Sequence, residues 1–144
     1  MTTDQKGSIA EAEIAAAAIR LGIHVLKPLS NGTRYDLVFD LDGSLLRVQC
    51  KWATCIDDVI VIRTRSSRRT ATGQLHRCYT ADEIDAIAAY CAEVNRSFLI
   101  PVDVCGGRAG FHLRLSPTLN NQRAGVNWAD DFEFAAKLSR LKGP

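Results

Sequence analysis

The clearest alternation of apolar and polar residues surrounds the dipeptide Asp42-Gly43, which separates the segments 34–40 and 45–51. An Asp-Gly pair between two such segments is the strongest short-range signal for a β-hairpin. A two-residue turn places Asp36 directly opposite Gln49 on the neighbouring strand. The sequence therefore predicts an antiparallel hairpin with this register.

The two faces of the predicted hairpin differ because strand side chains alternate with a period of two. One face is apolar and carries Tyr35, Leu37, Phe39, Leu41, Leu46, Val48, Cys50 and Trp52. The other carries Asp36, Gln49 and Lys51, and opposed Cβ atoms lie only about 4.5–5.5 Å apart. A carboxylate, an amide oxygen and an amine in one cluster can hold a metal ion and polarise a bound water. A solvated face with acid–base pairs is also a common surface, so the hairpin alone leaves both interpretations open.

A helix is predicted from Thr3 to Leu21, with Gly22 at its carboxy-terminal cap. One stripe of this helix consists of Gly7, Glu11, Ile14, Ala18 and Leu21, and a polar stripe consists of Lys6, Glu13 and Arg20. Glu11 is thus expected to face the sheet, and Glu13 the solvent. A carboxylate on a core-facing stripe is unfavourable unless it is paired or binds a cation. Glu11 is therefore either a cation ligand or the salt-bridge partner of an arginine.

The rest of the chain alternates between strand and helix signals. Apolar and β-branched runs predict strands at Ile23–Leu26, Val59–Ile62, Phe98–Ile100 and Phe111–Leu115. A capping box at residues 80–83 predicts a helix to about Glu93, and Asn127 is expected to cap a last helix, Ala129 to about Leu141. Residues 63–73 and 116–125 are expected to be loops. This order predicts one α/β domain over residues 1–144, with a mixed, largely antiparallel central sheet flanked by helices.

The composition is that of a globular protein, with 47% hydrophobic and 24% charged residues. No apolar run approaches the roughly 20 residues of a membrane span. The amino terminus lacks a signal-peptide core, so a cytoplasmic protein with no membrane association is expected. Five scattered cysteines, Cys50, Cys55, Cys78, Cys91 and Cys105, argue against a disulfide framework and against structural zinc.

The net charge is only +2, but it is unevenly distributed. A run without acidic residues contains Arg63, Arg65, Arg68 and Arg69. Such a run fits contacts with nucleic-acid phosphates, and it fits a solvated loop equally well.

The residues Glu11, Asp36, Gln49 and Lys51 together resemble the signature of the PD-(D/E)XK nuclease superfamily. The resemblance is closest to the group I intron-encoded homing endonucleases of this type. The segment 6–11 is similar to an amino-terminal helix motif that archaeal Holliday junction resolvases also carry. The resemblance covers nearly the whole chain and implies a restriction-endonuclease-like core.

Two residues depart from the superfamily pattern. Tyr35 stands where the motif has a proline, which affects the backbone but removes no ligand. Gln49 stands where the motif has a second acid, and it supplies an oxygen but no charge. The resemblance implies that this glutamine is normal for the intron-encoded branch.

The resemblance further implies Mg²⁺-dependent hydrolysis of phosphodiester bonds in double-stranded DNA, with Mn²⁺ able to replace Mg²⁺. The implied catalytic residues are Glu11, Asp36, Gln49 and Lys51. The implied metal ligands are Asp36, the side-chain oxygen of Gln49, the backbone carbonyl of Cys50 and Glu11, which binds directly or through water. Lys51 would orient or deprotonate the attacking water, or neutralise the phosphate. The expected DNA-binding residues are Arg63, Arg65, Arg68 and Arg69.

Three other functions stay open at this point. One is a structure-specific nuclease similar to the Holliday junction resolvases. Another is a DNA-binding protein with an inactive nuclease fold, which Gln49 favours because one fewer carboxylate weakens binding of a hard cation. The third is a structural α/β protein with a salt-bridged face, which neither the arginine run nor Glu11 on an apolar stripe favours.

A homodimer or homotetramer is expected, because a single metal site cuts one strand and symmetric copies place one site on each. The interface is expected around Trp128, Phe132 and Phe134. For any single ring, packing against the sheet of its own chain is an equally good interpretation.

Overall fold

The computed structural model describes residues 1–117 and 125–142, with the side chains of residues 67–69 excepted. The helices are α1 (Thr3–Arg20), α2 (Val102–Cys105) and α3 (Phe134–Lys142), and a 3₁₀ turn spans Ala129–Phe132. The strands are β1 (His24–Leu26), β2 (Leu37–Asp40), β3 (Leu45–Ile56), β4 (Val59–Arg63), β5 (Arg65–Thr70), β6 (Gly73–Cys78), β7 (Ala86–Cys91), β8 (Arg96–Pro101) and β9 (Gly110–Arg114).

The hairpin of β2 and β3 is confirmed with the predicted register, since Phe39 pairs with Leu46. Its turn requires left-handed backbone, with φ of 56° at Asp42 and 105° at Gly43. Glycine adopts such angles readily and aspartate tolerates them, which explains the Asp-Gly pair. β3 continues for 12 residues, so it carries Gln49 beyond the last β2 pair.

β3 organises the main sheet because it has partners along its whole length. β2 pairs with its first residues, β7 runs parallel to residues 48–53, and β4 pairs with residues 54–56. β1 lies outside β2, β8 outside β7 and β9 outside β4. The strand pairs of the described sheet are antiparallel except β3–β7. The prediction of a mixed, largely antiparallel sheet is therefore confirmed.

The prediction of a helix after the capping box is wrong, because the chain forms the buried strand β7 there. The Thr80 hydroxyl contacts Glu83 at 3.1 Å, but only a turn results. Every β7 residue is buried, and successive side chains enter two different cores. A strand buried on both faces has a continuous apolar sequence, which periodicity cannot distinguish from a buried helix.

Arg47 and Asp85 hold the start of β7 against β3. The Arg47 guanidinium donates to both Asp85 carboxylate oxygens at 3.1 Å, and the Arg47 backbone N–H donates to one of them at 2.7 Å. Burial acts to raise the pKa of Asp85, but the hydrogen bonds from Arg47 outweigh it and lower that pKa. This charge-assisted bidentate pair fixes the point at which β7 joins the sheet.

Both faces of the sheet are covered by apolar cores. The core beneath α1 and α3 includes Ile14, Phe39 and Leu138. The core on the other face includes Ile62 and Leu113. The active-site candidates on the hairpin lie where β2 begins beside β3.

The prediction of a loop at residues 63–73 is also wrong, because β5 and β6 form a separate two-stranded hairpin. Its β6 residues are exposed up to Arg77, so the hairpin lacks the apolar alternation that identifies a half-buried strand. The expected loop at 116–125 lies mostly outside the described residues. The last helix is divided, since a 3₁₀ turn precedes α3 and no side chain caps that turn.

The aromatic rings proposed for a subunit interface mainly cover the sheet of their own chain. Phe134 packs edge-on against Phe39 with ring centroids 6.0 Å apart, and Phe132 against Phe111 at 5.5 Å. Both phenylalanines are buried, and Trp128 is partly buried. Phe132 and Phe134 therefore pack against the sheet of their own chain, which is the alternative that the sequence left open for each ring.

The five cysteines are all free, as the sequence predicts. Within the described residues, no helix combines the length and the hydrophobicity needed to cross a membrane.

Candidate active site

α1 packs on β3 and β7, and it places Glu11 at the border of that contact. The buried residues of the helix are Ala10, Ile14 and Ala18. The predicted stripe is thus wrong at its ends, since Gly7 and Leu21 are exposed. Glu11 follows the first buried position, and its side chain is 27% exposed.

The salt-bridge partner of Glu11 is Lys27, whereas the sequence suggested an arginine. The Lys27 ammonium donates directly to Glu11 Oε1. Glu13, expected in solvent, is partly buried and lines a different cavity with Tyr90. The two neighbouring glutamates therefore have separate environments.

Asp36 immediately precedes β2, and its carboxylate turns toward β3. Its Oδ2 accepts a hydrogen bond of 2.9 Å from the backbone N–H of Cys50. Burial raises the pKa of Asp36, and this outweighs the opposing effects of the Cys50 hydrogen bond and of Lys51 and Lys27. Asp36 is thus a partly buried carboxylate with two lysines in electrostatic range.

Gln49 and Cys50 present one amide group and one carbonyl group to the same place. The Gln49 side-chain nitrogen lies 3.5 Å from the Cys50 carbonyl oxygen. The Cys50 thiol is buried, and burial, followed by the charge of Asp36, raises its pKa far above the usual range. The thiol therefore stays protonated at neutral pH, so the atom that Cys50 could offer to a hard cation is its carbonyl oxygen.

Lys51 lies against the ring of the buried Tyr79. Its Nζ is 5.0 Å from the ring centroid, within the range of a cation–π contact. Arg34 contacts the same ring with its Cζ at 4.2 Å from the centroid. No salt bridge to Lys51 is found among the described residues, so its ammonium is available to a phosphate or a water.

These contacts bring the sequence-predicted residues together in a chain of neighbours. Glu11 is linked through Lys27 to Asp36, and Asp36 is linked through the Cys50 amide to the segment 49–51. Sequence reasoning missed Lys27, Arg34 and Tyr79. Lys27 follows β1 directly. The one feature that could have placed it near the site is the antiparallel register of β1 with β2, which brings Lys27 beside Leu37.

The donor atoms fit a hard divalent cation. Glu11, Asp36, the amide of Gln49 and the carbonyl of Cys50 all offer oxygen, which is the ligand type that Mg²⁺ prefers. One oxygen of Asp36 is held by the Cys50 amide, which leaves the other for a cation. Within the described part of the chain, no group of three His, Cys, Asp or Glu side chains forms a metal site. A cation here therefore depends on the amide and carbonyl oxygens as well as on carboxylates.

The basic hairpin β5–β6 is fastened to the site at its base. Arg34 donates to Glu83, to the Ser66 hydroxyl and to the Arg77 carbonyl, each at 3.3 Å. The buried Thr64 hydroxyl donates to the Arg108 carbonyl at 2.6 Å. These contacts fasten the base of the hairpin to the main part of the chain, and Arg34 shares the Tyr79 ring with Lys51.

The arginines proposed to bind DNA differ in position. Arg63 is exposed at the end of β4, and Arg65 is partly buried at the start of β5. Arg68 and Arg69 lie on β5, but their side chains are outside the described set. Pairing of β5 with β6 adds Arg77, whose guanidinium contacts Glu83 at 2.5 Å.

Comparison with known proteins adds evidence of a different kind. The sequence pattern of the PD-(D/E)XK endonuclease family matches residues 1–135. A solved structure of a bacterial homing endonuclease, I-Ssp6803I, is similar to this chain with a TM-score of 0.79 and 30% sequence identity. The similarity covers 99% of this chain and 96% of that one, and it confirms the restriction-endonuclease-like fold. No curated protein matches the sequence significantly.

Asp36 is expected to reduce the stability of the metal-free protein at neutral pH. Folding raises the pKa of Asp36 above 3.8, so the folded state favours the protonated carboxyl. The stability that this protonated group contributes is complete below pH 3.8 and is lost as the pH rises through the folded-state pKa. Asp36→Asn, which stays neutral, should therefore unfold at higher urea concentration than the wild type at pH 7 in EDTA.

The difference between the two proteins should shrink as the pH falls below 3.8. Asp103→Asn is the matched control, because Asp103 is exposed and its replacement should change stability little at either pH. An Asp36→Asn variant that is less stable than the wild type at pH 7 would contradict the assignment.

Proposed function

Because the chain belongs to the PD-(D/E)XK endonuclease family, we propose that it is a Mg²⁺-dependent, homing-type endonuclease that cuts double-stranded DNA at a specific site. The observation that supports the proposal is the set of contacts around Asp36: its carboxylate accepts from the Cys50 amide and lies in electrostatic range of Lys51 and of Lys27, the partner of Glu11. Mn²⁺ offers the same preference for oxygen ligands and is proposed to replace Mg²⁺.

Glu11, Asp36, the Gln49 oxygen and the Cys50 carbonyl are proposed to hold the cation. A divalent cation there supplies Lewis-acid stabilisation of the phosphate charge and a more acidic bound water. Rotation of the Gln49 amide by half a turn directs its oxygen toward the Cys50 carbonyl side, where its nitrogen now lies. Both oxygens then face the same point.

Asp36 and Lys51 are proposed to orient the reactants. The Cys50 amide fixes the Asp36 carboxylate, so its free oxygen keeps one direction. The Tyr79 ring supports the Lys51 ammonium from one side, which leaves its N–H groups to donate elsewhere. Two roles fit this ammonium: it orients the attacking water, or it neutralises the phosphate that the water attacks.

The β5–β6 hairpin is proposed to contact the DNA backbone. Residues 63–78 contain five arginines and no acidic residue. The hairpin is exposed, and its base is fastened near Lys51 through Arg34. A basic two-stranded arm next to the site fits phosphate binding better than the solvated loop that the sequence left open.

The function is tested by mapping cleavage on a randomised duplex library in Mg²⁺, with EDTA as the metal-free control and a four-way junction for comparison. A defined sequence among the cut duplexes supports a homing-type enzyme. Preferred cleavage of the junction would favour a resolvase-like nuclease. Binding without any cleavage would favour an inactive nuclease fold.

The active-site assignment predicts that Glu11→Gln, Asp36→Ala and Lys51→Ala each lower the cleavage rate on the selected duplex by about 100-fold or more. Each change removes a cation ligand or the ammonium at the phosphate. Glu13→Gln is the matched control, since Glu13 lies on the same helix but lines a different cavity and should keep nearly the wild-type rate. Normal rates in the first three variants, with unchanged circular dichroism, would refute the site.

The hairpin assignment predicts a change in salt dependence. Replacing Arg68 and Arg69 with glutamine should weaken duplex binding and reduce the slope of log K against log salt by about 0.9 for each phosphate that is no longer neutralised. Arg20→Gln with Arg140→Gln is the control of equal charge, because both arginines are exposed on helices away from the hairpin. An equal change of slope in the two double variants would show that the hairpin has no specific role in phosphate binding.

A homodimer or homotetramer is proposed, because one metal site cuts one strand and a double-strand break needs two sites. Sedimentation equilibrium at micromolar concentration should therefore give a mass of two or four chains of 15.8 kDa. A monomer that still makes double-strand breaks would contradict this proposal.

A further inference from the structure

Lys27 occupies a position in the site that the nuclease signature does not include. Its ammonium donates to Glu11, and its charge also acts on Asp36. These are the two carboxylates of the proposed cation site. The ammonium of Lys27 therefore interacts with both carboxylates that would otherwise attract the metal.

The ion pair is placed where it can open. The Lys27 side chain is 67% exposed, and an open cavity of about 460 Å³ runs along Glu11 and Lys27. Exposed ion pairs of this kind contribute little to folding, about 0–1 kcal/mol. The ammonium is thus held weakly, and it has space to leave Glu11 without disturbing the core.

We propose that Lys27 is a tethered competitor for the divalent cation, which must displace its ammonium from Glu11 before Glu11 can bind the metal. This inference rests on the proposed function, because it requires Glu11 to be a metal ligand. The competition lowers the affinity of the free protein for metal, and the ammonium released by metal binding becomes available to an approaching phosphate.

The size of the competition follows from the strength of the ion pair. Replacing Lys27 with a neutral residue removes a partly exposed ion pair and one positive charge near the site. Together these two changes should raise the metal affinity about threefold to tenfold. Arginine at position 27 keeps both the charge and the reach to Glu11. A neutral side chain removes both.

The test is calorimetric titration of the DNA-free protein with Mn²⁺, which does not depend on activity. Lys27→Gln should bind Mn²⁺ about threefold to tenfold more tightly than the wild type, and Lys27→Arg should bind like the wild type. Lys6→Gln is the matched control, because Lys6 is on α1 and contacts Trp52 rather than Glu11. Its affinity should stay within about twofold of the wild type.

A second comparison isolates the contact with Glu11. In a Glu11→Gln background, Lys27→Gln should increase Mn²⁺ affinity by no more than about twofold, since the ion pair is absent and only the effect of the Lys27 charge on Asp36 remains. Thermal melts of all variants establish that they are folded, and the exposed position of Lys27 makes folding insensitive to its replacement.

Three results would overturn the inference. Equal Mn²⁺ affinity of the wild type and Lys27→Gln would overturn it while leaving the metal site intact. An equal effect of Lys6→Gln would show that only net charge matters. Absence of Mn²⁺ binding by the wild type would overturn the proposed metal site and, with it, the role of Lys27.

Discussion

The parallel pairing of β3 with β7 is the contact on which the rest of the structure depends, because it buries β7 on both faces of the sheet. Each face then needs its own cover, which α1 and α3 supply on one side and the second core on the other. Arg47 and Asp85 fix where this pairing begins. Since β3 is held along its middle, its exposed edge beside Asp36 can carry polar groups without loss of order.

The sequence predicts the hairpin and α1 well, because their signals are local. Asp42-Gly43 sets the register that brings Asp36 to Gln49. Prediction from the sequence fails at β7, because its Ala-rich run is equally compatible with a helix. It also fails at β5–β6, because the exposed strands lack apolar–polar alternation. The role of Lys27 beside Glu11 is not visible either, because it depends on how β1 pairs with β2 across a loop.

Opposing electrostatic effects act on the carboxylate at the centre of the site. Burial favours a neutral Asp36, while two lysines and a backbone amide favour its charged form. A DNA endonuclease benefits from such an arrangement because a partly buried carboxylate binds a cation more strongly than a solvated one. The same burial keeps Cys50 a thiol, so this residue offers only its carbonyl oxygen to the cation of the proposed site.

Small side chains determine how near α1 lies to the sheet. Ala10 and Ala18 of the helix and Ala86 and Ala88 of β7 belong to one core and are fully buried. The separation between Glu11 and the β2–β3 hairpin is therefore set by methyl groups that lie inside the core. One larger side chain among them lifts the helix, because a close-packed interior has no spare volume. The tolerance of the proposed active site to sequence change is therefore decided at apolar positions that a search for polar motifs does not inspect.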